Sequence, residues 1–322
     1  VRTLAGRAGR RDAGRCVLQG STLVAQVLAA GGPLEVVFRA ESADSTADEA
    51  LSRQLRDAAV AVHRVRDGVL RQVAGASRPV EWLGVAVPRP EAHVQERWGR
   101  FALICDGVVD PGNLGAIVRS AAALGVEDVV LTDPDTDLTS RRVLDSSRGV
   151  VLSTRVRRYP EPGAALVGLR ESGFQIVATS PRGRPLQSVS GLGARPVALV
   201  VGGETDGVRA EVEQDADVLV GIPMAGPVES LNVAVAAGIV TYEIRTRMML
   251  GAVDAPLERT GSPSPAITSA SAAGPRSGTD GDGRPPVPAA SSHTCRAVAG
   301  RVPRRNGVSG RHHEVRAGSE PG

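Results

Sequence analysis

Residues 222–250 read IPMAGPVESLNVAVAAGIVTYEIRTRMML, and this stretch decides how the chain is organised. A turn-rich loop, Pro223 to Pro227, leads through Glu229, Ser230 and Asn232 into a helix that is apolar on nearly every face as far as Ile244. A surface helix shows one polar side, so this one is expected to be buried. Its entry nevertheless carries a carboxylate, a hydroxyl and an amide. Polar groups at the mouth of a buried helix cost free energy unless something satisfies them, and the first backbone N–H groups of the helix converge on the same place. Two readings stay open on this stretch alone: Ser230 is an ordinary N-cap, or the helix start is one wall of a ligand site.

The region upstream supplies the rest of such a site. From Phe101 onward short apolar strands alternate with helices: FALICDGV, a helix over 113–124, DVVLTD, a helix over 139–147, STRVRRY, a helix over 163–172, FQIVATS, PVALVVGGE, a helix over 207–214 and DVLVGIPM before the final helix. That rhythm predicts a parallel sheet covered on both faces. Ligands of parallel sheets bind beyond the carboxyl ends of the strands. GGETDG at 202–207 and IPMAG at 222–226 both follow strands there, whereas no G-x-G-x-x-G follows an early strand, which argues against a dinucleotide fingerprint. In the 113–124 helix Leu114, Ile117, Ala121 and Leu124 fall on one stripe, Arg119 falls off it, and Gly125 is the expected stop.

Three stretches, DGVVDPGNLGAIVRSAAALGV (106–126), LVVGGETDGV (199–208) and IPMAGPVESLN (222–232), resemble in order and spacing the three motifs of the SpoU (TrmH-type) branch of the SPOUT RNA methyltransferases. The resemblance implies a fold class: α/β, with a C-terminal knotted (trefoil) parallel-sheet methyltransferase domain over 97–250. It also implies an activity, methyl transfer from S-adenosylmethionine to a ribose 2′-hydroxyl in structured RNA. Residue by residue it marks Asn113, Arg119, Glu204, Ser230 and Asn232 as the polar active-site set. Leu199, Gly202, Gly203, Ile222, Met224 and Leu231 are marked for the cofactor. Arg119 is the family's residue for the hydroxyl and its neighbouring phosphate; since a guanidinium stays protonated in proteins, clamping and charge stabilisation suit it better than a base's role. The resemblance also implies a homodimer. Val233, Val235 and Ile239 add to that more apolar surface than one helix face needs.

Residues 16–96 read as a smaller α/β module of strands, helices and a closing strand ended by Pro88 and Pro90, with Ser21 as a plausible cap for its first helix. This module is similar to the L30e-like substrate-binding domain that precedes many SpoU catalytic domains. It favours ribosomal over transfer RNA, with a transfer RNA substrate or a non-catalytic RNA-binding protein of the same fold as alternatives. GVAVPRP and RRVLDSSRG also look like stretches of the thiostrepton-resistance methylases. His63 and His93 show no acid or nucleophile partner at matching spacing.

Charge is uninformative by count. All 38 basic residues are Arg, which with the Ala, Gly and Val load points to a GC-rich genome. Residues 1–15 carry five Arg against one Asp and read as a basic flexible arm; the tail 251–322, rich in Pro, Gly and Ser, reads as disordered, and its nine Arg against six acids equal the whole net charge of +3. His293, Cys295, His312 and His313 in that tail have no ligand spacing, and Cys16, Cys105 and Cys295 no disulfide pattern, so no metal is expected. No apolar run is long enough to span a membrane and no signal peptide is visible, which makes the cytoplasm the expected compartment and a membrane an unexpected partner. Seven aromatics leave few stacking platforms, so RNA recognition should lean on shape, phosphates and 2′-hydroxyls.

Overall fold

The computed structural model describes residues 1–93, 95–226 and 230–253. Glu229 and the tail beyond 253, with its expected disorder and its His and Cys residues, lie outside the described residues.

The expected flexible arm is instead a docked element. Arg2–Ala5 form a 3-10 turn and Arg7–Ala13 a helix, α1. Leu4 is buried against Leu70, Leu83 and Val85. Arg10 anchors the helix: it donates to Thr139 Oγ1 at 3.1 Å and to the carbonyls of Leu4 and Ala5, and it pairs with Asp137. Both partners of that pair are mostly enclosed, with side-chain exposures of 12% and 18%. A polar helix with no apolar stripe carries no local signal of this, because the partner lies well over a hundred residues away.

The front module follows the expected order: β1 (Cys16–Gln19), α2 (Ser21–Ala29), β2 (Leu34–Ala40), α3 (Thr46–Asp57), β3 (Ala61–Val65), α4 (Val69–Ala74) and β4 (Trp82–Ala86). Its sheet is mixed, in the order β1-β4-β2-β3, with only β2 and β3 parallel. Ser21 does not cap α2; Gly20, at φ 95°, holds that position. A full capping box does start α3, where Ser45 accepts from the Asp48 N–H and Asp48 accepts from the Ser45 N–H. Inside, the buried guanidinium of Arg39 bonds Ser52 (2.7 Å) and Glu49 (2.6 Å) and lies 5.7 Å over the Trp82 ring.

The second module comprises β5 (Phe101–Asp106), α5 (Pro111–Ala123), β6 (Asp128–Leu131), α6 (Arg141–Ser147), β7 (Val156–Arg158), α7 (Pro162–Glu171), β8 (Gln175–Pro185), β9 (Val197–Gly202), α8 (Ala210–Asp215), β10 (Val218–Gly221) and α9 (Val233–Val253). Its six strands run parallel in the order β10-β8-β9-β5-β6-β7. Alternation along β5 feeds two cores: Leu103 and Cys105 face α5, α6 and α9, while Ala102 and Ile104 face α7 and α8. Burial pushes the thiols of Cys16 and Cys105 up to about 12, so neither is a reactive thiolate near neutral pH.

Two features join the modules. The first core continues from α5 and α6 into Leu23, Val24 and Val27 of α2. Gly149 makes that approach possible, since a Cβ there would lie 2.2 Å from Val27 Cγ2. The connecting strap is then fastened to β7, with Ala92 and Arg89 N–H groups donating to Val156 and Leu152. The fully buried Arg157 bonds Asp128 (2.9 Å) and the carbonyls of His93, Glu96 and Arg97, and its guanidinium sits 4.0 Å from the Trp98 ring centre. Residues 89–96, assigned by sequence to the front module, are therefore bonded to the second. His93 serves here through its backbone, and His63 stands on β3 beside Phe38; neither has a catalytic partner among the described residues.

Helix α9 departs from its expected complete burial. Ala237, Val240, Thr241 and Ile244 are buried, but Val235 (51% exposed), Ile239, Tyr242 (60%) and Met249 form an open apolar stripe at helical spacing. Composition says that a helix is covered, not by which chain. No helix among the described residues is long and apolar enough to cross a membrane.

The Arg10–Asp137 pair makes stability depend on pH. Burial alone would raise the Asp137 carboxyl, but hydrogen bonds from Thr139 and Arg10, together with the Arg10 charge, hold it below its ordinary value of 3.8. A depressed carboxylate stabilises the fold above its unfolded value and loses that contribution as pH falls through the folded value. Asp137→Asn should lower the unfolding free energy by about 2 kcal/mol at pH 7. The gap between parent and variant in urea titrations should close as the pH drops below 3.8. A gap that persists at pH 2 would show that the pair is not its source.

Candidate active site

Asp106 ends β5, and its buried carboxylate gathers the loops beyond the sheet. One oxygen accepts from the Arg209 N–H (3.0 Å), and the other pairs with Arg209 Nε (2.9 Å) and lies 3.2 Å from Thr132 Oγ1. Its carbonyl accepts from the Gly203 N–H at 2.9 Å. Carboxyl ends of β5, β6 and β9 are thus tied to a single residue. Gly202 is held so closely that a Cβ would lie 1.9 Å from the Gly207 carbonyl carbon, and one on Gly203 would lie 2.5 Å from the Gly107 oxygen. Gly207 itself has φ 67°, which glycine adopts freely.

On this frame three of the expected polar residues meet. Asp110 caps α5 by accepting from the Asn113 N–H (2.8 Å), and Pro111 follows at the first helical position. The Asn113 side chain then donates to the Glu204 carboxylate and accepts from Asn232 Nδ2 at 2.9 Å. Asn232 also caps α9, taking N–H bonds from Ala234 (3.0 Å) and Val235 (3.4 Å). Asn232, not Ser230, is therefore the cap, and Ser230 stands exposed beside it. Glu204 and Asn232, 91 and 119 residues on from Asn113, thus meet at its amide, the apex of a polar triangle at the surface.

Arg119 is not part of the triangle. It is exposed on α5, six residues or about 9 Å along the helix from Asn113, and its side chain makes no hydrogen bond or ion pair with a described residue. The next residue, Ser120, faces Gly238 of α9. Of the expected cofactor residues, Gly202 and Gly203 form the tight turn, and half-buried Ile222 packs on the core. Met224 and Leu231 expose apolar side chains. Ile222 to Gly226 make no backbone hydrogen bond to a described residue. Leu199 lies mid-strand, wholly buried and paired on both sides, away from this surface. Sequence reasoning missed Asp106 and Asp110. Their signals were readable: a carboxylate ending an apolar strand, and Asp-Pro opening a helix.

A parallel sheet with a glycine-tight turn, a polar triangle and an open backbone segment beyond its strands defines an α/β enzyme of the methyltransferase type that the motifs resemble. Residues 100–242 match the SpoU rRNA Methylase family. The chain is 32% identical over 239 residues to an uncharacterised tRNA/rRNA methyltransferase of Synechocystis sp., covering 74% of this chain and 86% of that one. It is 35% identical over 190 residues, 57% of this chain and 69% of the other, to the 23S rRNA (adenosine(1067)-2'-O)-methyltransferase of Streptomyces azureus. Among solved structures it is similar to the SpoU methyltransferase AviRb from Streptomyces viridochromogenes in complex with AdoMet, with 25% identity, a TM-score of 0.63 and coverage of 77% and 96%. The chain belongs to the SpoU methylase family.

The turn at Gly202 gives a direct test. Gly202→Ala should lower stability by about 3 kcal/mol or abolish soluble folding, because the methyl group meets backbone that cannot step aside. Gly163→Ala in α7, where a Cβ meets nothing within 4 Å, should be neutral or stabilising by up to about 1 kcal/mol. Thermal melts of the two variants side by side decide it; equal melting temperatures would mean that the turn is far looser than described.

Proposed function

We propose that this protein transfers a methyl group from S-adenosylmethionine to a ribose 2′-hydroxyl in structured RNA, with ribosomal RNA as the substrate. The observation that carries the reading is the Asn113–Glu204–Asn232 triangle, which joins all three motifs at the carboxyl ends of the strands. The choice of ribosomal RNA is supported by the likeness to the Streptomyces azureus enzyme and by the front module.

The open backbone from Ile222 to Gly226 suits the edge of an adenine, and the exposed Met224 and Leu231 offer apolar cover for its ring. The cofactor, when bound, supplies a methyl group activated by a sulfonium. The chain's task is then to align a ribose hydroxyl in line with that methyl and to ease loss of the hydroxyl proton to solvent. We assign Arg119 to this: its fork holds a phosphate oxygen and the hydroxyl together, and its fixed charge favours the developing alkoxide. Asn113 and Glu204 are engaged with each other, so their role is to hold the two loops, while Ser230 and Asn232 present the start of α9 to the ligand.

The same reading includes a homodimer. The open stripe Val235, Ile239, Tyr242 and Met249 needs a cover, and exposed Arg119, on the helix that packs against α9, has no hydrogen bond or ion pair among the described residues. A second copy supplies both. Sedimentation at micromolar concentration should report a dimer, and Ile239→Glu should give monomer with methylation lost; a parent that sediments as a monomer removes this part of the proposal.

Arg119→Lys keeps the charge and loses the fork. Turnover should fall roughly a hundredfold, as when one aligned transition-state donor is removed. The melting temperature and calorimetric S-adenosylmethionine affinity should hold, since the side chain is exposed and off the apolar stripe. Tritiated-methyl transfer to 23S ribosomal RNA, with transfer RNA in parallel, reads both catalysis and substrate. Parent-level turnover by the variant would refute the assignment of Arg119, and label in transfer RNA alone would refute the choice of ribosomal RNA.

A further inference from the structure

Two surface clefts share one wall. The first lies between α5 and α6 and is lined by Gly112, Arg141, Arg142, Asp145, Ser146 and Arg148. The second lies on the front module, where Gly20, Ser21, Ser77, Arg78 and Glu81 line it together with Arg141 from the other module. Arg141 thus stands at the seam and connects them. At the far end, the Arg142 guanidinium lies within 3.3 Å of where a Gly112 Cβ would be, next to Asn113. The path therefore runs from the front module to the loop that carries the polar triangle.

Four guanidinium groups, those of Arg78, Arg141, Arg142 and Arg148, outnumber the three carboxylates along this path, those of Glu81, Asp110 and Asp145. Arg141 and Arg142 pair with Asp145 (3.4 Å) and Asp110 (3.0 Å), yet both guanidinium groups remain more than half exposed. Such exposed pairs are weak and exchange readily for a stronger anion. The side chains of Arg78 and Arg148 make no hydrogen bond or ion pair with a described residue.

Arg148 adds an independent observation. It ends α6 in the left-handed conformation, φ 54° and ψ 31°, and among the described non-glycine residues only Ala59 also has a positive φ. Helices ending this way usually place glycine there, because a Cβ is strained. Gly149 immediately follows, packed against Val27 of the front module, so the turn is fixed at the seam. A strained backbone position that carries an exposed guanidinium with no partner among the described residues does no structural work through that side chain. Strain of this kind persists where function holds the residue.

We infer that Arg78, Arg141, Arg142 and Arg148 form a track for the phosphodiester backbone of the substrate RNA, leading it from the front module across the seam to the catalytic loop. The inference rests on the RNA reading above. Phosphate is the anion that such a row fits, since guanidinium forks match its oxygens and a polyanion can engage several along one path. Contacts of this kind give orientation and affinity without reading sequence.

The test is a salt titration of binding to purified 23S ribosomal RNA by the full chain and by Arg141→Gln, Arg148→Gly and the double variant, with Arg53→Gln on α3 as an off-track control. Each track variant should weaken binding about tenfold near 0.1 M salt and reduce the slope of log K against log salt by about one, the double variant by about two. Arg148→Gly should do so with an unchanged or higher melting temperature, because glycine relieves the strain. A merely structural Arg148 would instead show a lower one. Track variants that match Arg53→Gln in affinity and slope overturn the track while leaving RNA binding standing. A parent protein with no salt-dependent affinity for the RNA overturns the RNA reading and the track with it.

Discussion

A buried carboxylate at the end of a parallel strand is the interaction on which the site depends. Asp106 is almost wholly enclosed, and its two oxygens and its carbonyl fasten Arg209, Thr132 and Gly203. Removing one partner from such a group leaves an uncompensated buried charge, an effect of about 3–5 kcal/mol. That is a large fraction of a domain's stability. The backbone at Gly203 lies against Gly107 and that at Gly202 against Gly207, each closer than a side chain would permit, while Gly107 and Gly207 are glycine for their positive φ of 68° and 67°. Glu204 is presented outward from a turn whose ends, Gly203 and Gly207, are bonded to each other and, at Gly203, to Asp106. From there the Asn113 amide reaches Asn232, so a single carboxylate sets the distance between the first two motifs and, through them, the third.

The layered sheet was legible because its strands are short, apolar and separated by helices with readable stops. Strand β5 is buried at every position, the pattern of a sheet covered on both faces. Boundaries were less legible. Ser21 resembled a cap, but the chain enters α2 through Gly20 at φ 95°, and a residue at the first helical position cannot cap. The strap at 89–99 reads as a tail of the front module because its prolines end a strand; its partners Asp128 and Arg157 lie 29 residues from each other and farther from the strap's start. The docking of α1 through Arg10 rests on Asp137 and Thr139, contacts that no local pattern encodes.

The candidate site was legible in membership and less so in geometry. Asn113, Glu204 and Asn232 were identified from motif resemblance, and their hydrogen bonds join them. Leu199 belongs to the same motif but is buried mid-strand, since a motif marks a stretch of chain and not the surface that its residues reach. Arg119 was expected among the polar residues and stands apart from them, on the same helix but around its barrel. Helix α9 shows the same limit from the other side. Its composition demanded cover, and one chain covers only the face that meets α5 and β9, leaving Val235, Ile239 and Tyr242 open. Sequence pattern records that a surface is apolar; it does not record whether the cover comes from the same polypeptide.

A chain with 38 basic residues and no lysine gives arginine every cationic task, so arginines must be sorted by surroundings before they say anything about function. Arg39 and Arg157 are enclosed, bonded to carboxylates and carbonyls, and stacked over tryptophans, which is the work of a planar donor inside a core. Arg10, Arg158 and Arg209 fasten loops through the carboxylates of Asp137, Glu91 and Asp106. Each of these is neutralised where it stands and contributes little field beyond its partner. Arg119, Arg78 and Arg148 are bonded to no described residue, and Arg141 and Arg142 are held only by exposed pairs. The near-zero net charge of the body therefore says nothing about where its arginines are free, since part of its carboxylates is held by structural arginines. A polyanion approaching this surface meets the unpaired set, and net charge alone would not have revealed it.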